Sequence, residues 1–132
     1  MDQIVNLETA KLAMEVGYDR EVIHKYGDHG HIILCKWYEE VAGLEDVECN
    51  ATDVKYGIPA PTQTALSRWL REKHDMYVSV DIAIFKRGWN ACIISIPKEL
   101  VCTNARGFDT YEEAMEEGLK LACKIVKERR SE

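Results

Sequence analysis

The sequence predicts an α+β fold: an antiparallel sheet with two helices packed on one face, in the order α-β-β-β-α, preceded by an N-terminal helix and a β-hairpin. Three observations lead there. From Met76 to Phe85 apolar residues alternate with polar or small ones, the two-residue repeat of a half-buried strand. Amphipathic patterns with a helical period stand on either side of that region, and a capping threonine, Thr62 or Thr110, opens each of them. A length of 132 residues suits one domain, 1–132, with an acidic helix-and-hairpin extension over 1–60 and the α-β-β-β-α core over 61–130.

The first helix is expected over Leu7 to Val16, with Asn6 as N-cap and Gly17 as the stop; Leu7, Ala10, Ala13 and Met14 share its apolar face. Alternation and β-branched residues predict a strand at His31 to Glu39, paired with Glu21 to Tyr26 across Gly27-Asp28-His29-Gly30. The acidic stretch from Gly43 to Gly57 has no period and is expected as a surface loop, with at most a short strand near Val54 to Tyr56. Pro59 and Pro61 favour extended backbone before them and mark an element boundary.

The core then opens with a helix from Thr62 to His74, burying Ala65, Leu66, Trp69 and Leu70 and leaving Arg68, Arg71 and Lys73 outside. His74 at its end reads as a cation that favours the helix dipole. The strand Met76 to Phe85 turns at Lys86-Arg87-Gly88-Trp89-Asn90 and returns through Cys92, Ile94 and Ile96. A third strand is expected at Glu99 to Thr103. The last helix runs from Thr110 to Arg129, opened by a Thr110-x-x-Glu113 capping box or by Asp109 with Glu112 one residue earlier. Its apolar stripe is Tyr111, Ala114, Met115, Gly118, Leu119, Ala122, Ile125 and Val126. Acid at its start and base at its end match the helix dipole.

Composition narrows the class. With 46% hydrophobic and 30% charged residues the chain is in the globular range. No run approaches the roughly 20 apolar residues of a membrane span, and Met1-Asp2-Gln3 lacks the basic start of an export signal, so a cytoplasmic location away from membranes is expected. The five cysteines include no C-x-x-C pair and read as free thiols, with Cys92 and Cys123 in apolar patterns.

Charge is uneven. Residues 1–60 carry five basic and twelve acidic side chains, and the remainder twelve and eleven, so the net charge of −6 resides in the front half. That balance disfavours phosphate binding, which draws on basic groups releasing counterions.

The helix-strand-strand-strand-helix order of 61–129 resembles the double-stranded RNA-binding domain. The resemblance is topological and covers about half the chain. It implies three contact regions: the first helix with Arg68, Arg71 and Lys73; the hairpin loop with Lys86 and Arg87; and the start of the final helix. The family has a lysine-rich sequence at that third place, whereas this chain has Thr110-Tyr111-Glu112-Glu113-Ala114, whose carboxylates repel phosphate. The phrases "LETAKLAMEVGYD", "APTQTALSRWLREKHDMYV" and "FDTYEEAMEEGLKLACKIV" are similar to small proteins carried by phages and mobile elements of gut Bacteroidota. That resemblance implies an accessory role and no site residues.

Other candidate sites are local. His24, Asp28, His29, His31 and Cys35 lie close in sequence, and imidazoles with a thiolate suit zinc, which makes His29, His31 and Cys35 the candidate ligands; turn histidines are more commonly just solvated. Trp89 beside Lys86 and Arg87 has the chemistry to stack a base, though a tryptophan at a hairpin more commonly covers the core. Trp37, Tyr38, Tyr77 and Phe85 would form a partner surface if the second face of the sheet is open. No nucleophile elbow, phosphate loop or dinucleotide fingerprint occurs, and no cofactor is expected. The reading is a non-enzymatic protein acting through protein contacts, with the acidic N-terminal half as one face. The alternative is a nucleic-acid binder using Arg68, Arg71, Lys73, Lys86, Arg87 and Trp89.

Overall fold

A computed structural model of the chain describes residues 3–27, 30–35, 57–82, 88–95, 99–102 and 107–130. The elements are α1 (Leu7–Glu15), β1 (His24–Tyr26), β2 (Ile32–Leu34), β3 (Ile58–Ala60), α2 (Gln63–His74), β4 (Met76–Ile82), β5 (Trp89–Ser95), β6 (Glu99–Cys102) and α3 (Tyr111–Arg130). They form two antiparallel sheets, ordered β2-β1-β3 and β4-β5-β6. The class is α+β, and α2 through α3 follow the α-β-β-β-α order.

The helices start where the capping residues put them. The Asn6 side chain accepts from the Thr9 N–H at 2.9 Å, Thr62 Oγ1 from Ala65 N–H at 3.1 Å, and Thr110 Oγ1 from Glu113 N–H at 3.1 Å. Asp75 ends α2 in the left-handed region at φ 52°, and its N–H reaches back to the Leu70 carbonyl.

In β4 and β5, Val78 pairs with Ile93 and Val80 with Ala91, and these residues face the helices. α3 crosses that face over β4 and β5, and α2 packs on β4 and α3. The close approach depends on Gly118: a Cβ there would come 2.7 Å from the Ala91 Cβ and 2.8 Å from Val78 Cγ1. Leu66, Leu70, Met76, Leu119 and Ala122 are fully buried in the core this creates.

The N-terminal part docks at the side of these helices. α1 packs on α3 and β3, so the outer face of β4 and β5 stays uncovered by α1. Gln3 to Val5 run beside the lead into α2, with Val5 N–H donating to the Pro61 carbonyl at 3.0 Å and Gln63 N–H to the Gln3 carbonyl at 2.7 Å.

Four details differ from the sequence reading, the first being that the strand expected from Glu21 begins only at His24. Pro59 lies inside a strand rather than at a boundary, because β3 is an outer strand among the described residues and loses no ladder bond to a proline there. Met14 is 44% exposed while Thr9 takes its place in the core, since α1 docks at an angle that favours Thr9, Ala10 and Ala13. Tyr111 begins the α3 stripe yet is 43% exposed, because the stripe runs past the end of the core. The strand expected at Val54 to Tyr56 and the residues Trp37, Tyr38, Phe85, Lys86 and Arg87 lie outside the described residues. Among those described, no helix is long and apolar enough to cross a membrane.

Candidate functional site

A groove of about 820 Å³ opens between α2 and the start of α3. Its α2 wall carries Arg68 and Arg71, its α3 wall Tyr111 and Glu112, and Val78 and Met115 contribute apolar surface. Helical spacing explains the α2 wall. Arg68 and Arg71 are three residues apart and share a face, whereas Lys73 falls roughly 200° round from Arg71 and does not line the groove.

Gln63 fixes the two walls. Its buried amide donates to the Glu112 carbonyl at 2.9 Å and to Glu116 Oε1 at 3.3 Å. The second Glu116 oxygen accepts the Asn6 N–H at 3.1 Å, so one buried carboxylate joins the starts of α1 and α2 to α3. The Tyr111 ring stands edge-on to Trp89, centroids 5.7 Å apart. Trp89 is half-buried and bridges to Phe108 through N–H to carbonyl bonds of 2.8 and 2.7 Å. It supports Tyr111 at the lip of the groove.

The electrostatics are mixed. Arg68 Nε meets Glu72 Oε1 at 3.0 Å, an exposed pair one helical turn apart, and Glu72 is 3.7 Å from Arg20. Exposed pairs of this kind hold a guanidinium loosely and leave it open to exchange partners. Arg71 makes no ion pair among the described residues. Among the residues that line the groove two guanidiniums face one carboxylate, Glu112, while Glu72 pairs with Arg68 from outside it; Val78 and Met115 give an apolar floor and Tyr111 an aromatic lip.

Away from the groove, burial shifts several of the described titratable groups. Burial pushes the Cys123 thiol up to about 12, with Glu116 adding to it, so it is protonated at neutral pH. Burial likewise raises Tyr18 to about 12. Trp69 Nε1–H donates to Asp19 at 2.9 Å, and its ring lies between Tyr18 and His74, 5.2 and 4.9 Å away. His74 sits below its ordinary range: burial lowers it, Arg130 and Lys73 add to this, and Asp75 opposes them. The helix-end cation expected from the dipole is outweighed.

The candidate metal ligands are placed apart in environment. His31 is exposed, Cys35 is buried with its N–H bonded to the Ile23 carbonyl at 2.8 Å, and His29 lies outside the described residues. Among the described residues, no three His, Cys, Asp or Glu side chains are gathered as a metal site. Of the candidate nucleic-acid residues, Arg68 and Arg71 meet at the groove, Trp89 stands behind Tyr111, and Lys73 lies elsewhere on α2. Sequence reasoning missed Gln63, Tyr111 and Glu116 as site residues. The signal for Gln63 was its place one residue after the N-cap, on the same face as Leu66 and Leu70.

No family model, curated protein or solved structure matches the chain.

Proposed function

We propose that the chain is a non-enzymatic accessory protein of a phage or mobile element that works by binding another protein, and that the α2–α3 groove holds an extended acidic segment of that partner. The observation that carries this reading is the pairing of Arg68 and Arg71 over an apolar floor, opposite an exposed tyrosine. A carboxylate between the guanidiniums gains charge-assisted hydrogen bonds, and a neighbouring apolar side chain fits over Val78 and Met115. Tyrosine and arginine are among the side chains most enriched where binding energy concentrates. The accessory role rests on the resemblance of the three quoted phrases.

A continuous phosphate array suits the same groove less well. Glu112 stands in it and Glu113 beside it, each opposing a phosphate, while a peptide that alternates acidic and apolar residues meets fewer repulsions.

The test is fluorescence anisotropy with a labelled peptide alternating glutamate and phenylalanine, and separately with labelled duplex RNA, at low and physiological salt. Wild type is expected to bind the peptide and not the RNA. Arg68→Glu with Arg71→Glu is expected to weaken peptide binding at least roughly ten-fold, about 1.4 kcal/mol. Binding of RNA alone, with a steep loss on adding salt, supports the nucleic-acid alternative instead.

A further inference from the structure

β4 is an outer strand among the described residues. It pairs with β5 along one side, and its other side presents a row of main-chain N–H and C=O groups that no described strand pairs with. Soluble proteins keep such edges from pairing by placing lysine, proline or a bulge there. Met76–Ile82 has none of these, and its one charge is Asp81. The outward face of the strand is open as well: Tyr77 is 40% exposed, Ser79 and Asp81 are exposed, and the cross-strand neighbour Ile94 is 43% exposed. On the helix-bearing face, Ile82 at the strand end is 67% exposed.

We infer that this edge pairs with the same edge of a second copy of the chain, antiparallel, about a two-fold axis through Ser79. The strand is self-complementary in that register. Ser79 lies opposite Ser79 of the second copy, Val78 opposite Val80, Tyr77 opposite Asp81 and Met76 opposite Ile82. Valines meet on the helix-bearing face. On the outer face the Tyr77 hydroxyl donates to the Asp81 carboxylate, twice by symmetry.

The neighbouring registers are poorer. Directly opposed residues share a face, so a slip of one would set outward residues against helix-facing ones. Moving the axis to Val78 sets Asp81 against Asp75, a like-charge pair, and moving it to Val80 separates Tyr77 from Asp81. The product is a six-stranded sheet made of two copies of β4-β5-β6, with the helices of both copies on one face.

Sedimentation equilibrium of the full chain from micromolar to submillimolar concentration tests this. A reversible dimer is expected. Ser79→Lys, which places two ammonium groups on the axis, is expected to weaken it at least roughly ten-fold. Tyr77→Asp should do the same by setting a second carboxylate against that of Asp81, and combining it with Asp81→Lys should restore the dimer. That restoration separates a lost interface from a folding defect, which circular dichroism checks in parallel. A wild-type monomer across the range overturns the inference, and so does a dimer indifferent to both Ser79→Lys and Tyr77→Asp.

Discussion

Gly118 is the residue on which the packing of α3 turns. A glycine in mid-helix forfeits about 1 kcal/mol of helix propensity, yet a Cβ at this position would come within 2.7 Å of Ala91 and 2.8 Å of Val78. Gly118→Ala therefore gains propensity and loses more to overpacking, and we expect a net loss of about 1–2 kcal/mol in urea denaturation. His74 supplies the pH dependence. Its folded pKa lies below its unfolded value of about 6.5, first through burial and then through Arg130, so the neutral form is favoured in the fold. Its contribution is present above that unfolded value and lost as pH falls through the lowered one. Between about pH 7.5 and 5.5 the urea midpoint of wild type should drop further than that of His74→Gln. At this scale the sequence was a partial guide: it located Gly118 on the apolar stripe but contained no sign that Ala91 and Val78 would press on it, because that depends on a helix-to-sheet distance.

The elements themselves were largely legible. Asn6 and Thr62 marked two helix starts and Thr110 or Asp109 a third, which the structure gives to Thr110, since a capping side chain acts within three residues of itself; the alternation in β4 was plain because one face packs on helices. What could not be read was how α1 joins the rest. Glu116 looked like one of several acids answering the dipole of α3, yet it is buried and accepts from the N-cap Asn6 N–H and from Gln63. It completes for α1, from another helix, what a capping box does within one. Glu116→Ala should cost about 2–3 kcal/mol by leaving two donors without an acceptor. Glu116→Gln should cost about 1 kcal/mol, because one of its two terminal groups becomes a donor facing a donor. Equal losses for the two variants in chemical denaturation would argue against that role. Lys25, fully buried on β1 and engaged there, is a second long-range feature that local pattern does not announce.

For the whole molecule, the chain is net negative at −6, but it is the local pairing of Arg68 and Arg71 on one face of α2 that gives the groove its sign. Charge counted along the sequence points to the acidic half as a partner face and to the cations of α2 as a phosphate-binding surface. Folding brings those cations to an apolar floor and to Tyr111, a combination that serves protein recognition as well as phosphate. The proposed pairing with a second copy uses the free edge of β4, and of the residues that line the groove only Val78 lies on that strand. The most direct test of the groove is an NMR titration of the isotope-labelled chain with the acidic glutamate-phenylalanine peptide, following backbone amides and arginine Nε–H signals. Shifts concentrated at Arg68, Arg71, Tyr111 and Met115 are the predicted result. Saturating shifts confined to other surfaces, with the two arginine side chains unmoved, would contradict it.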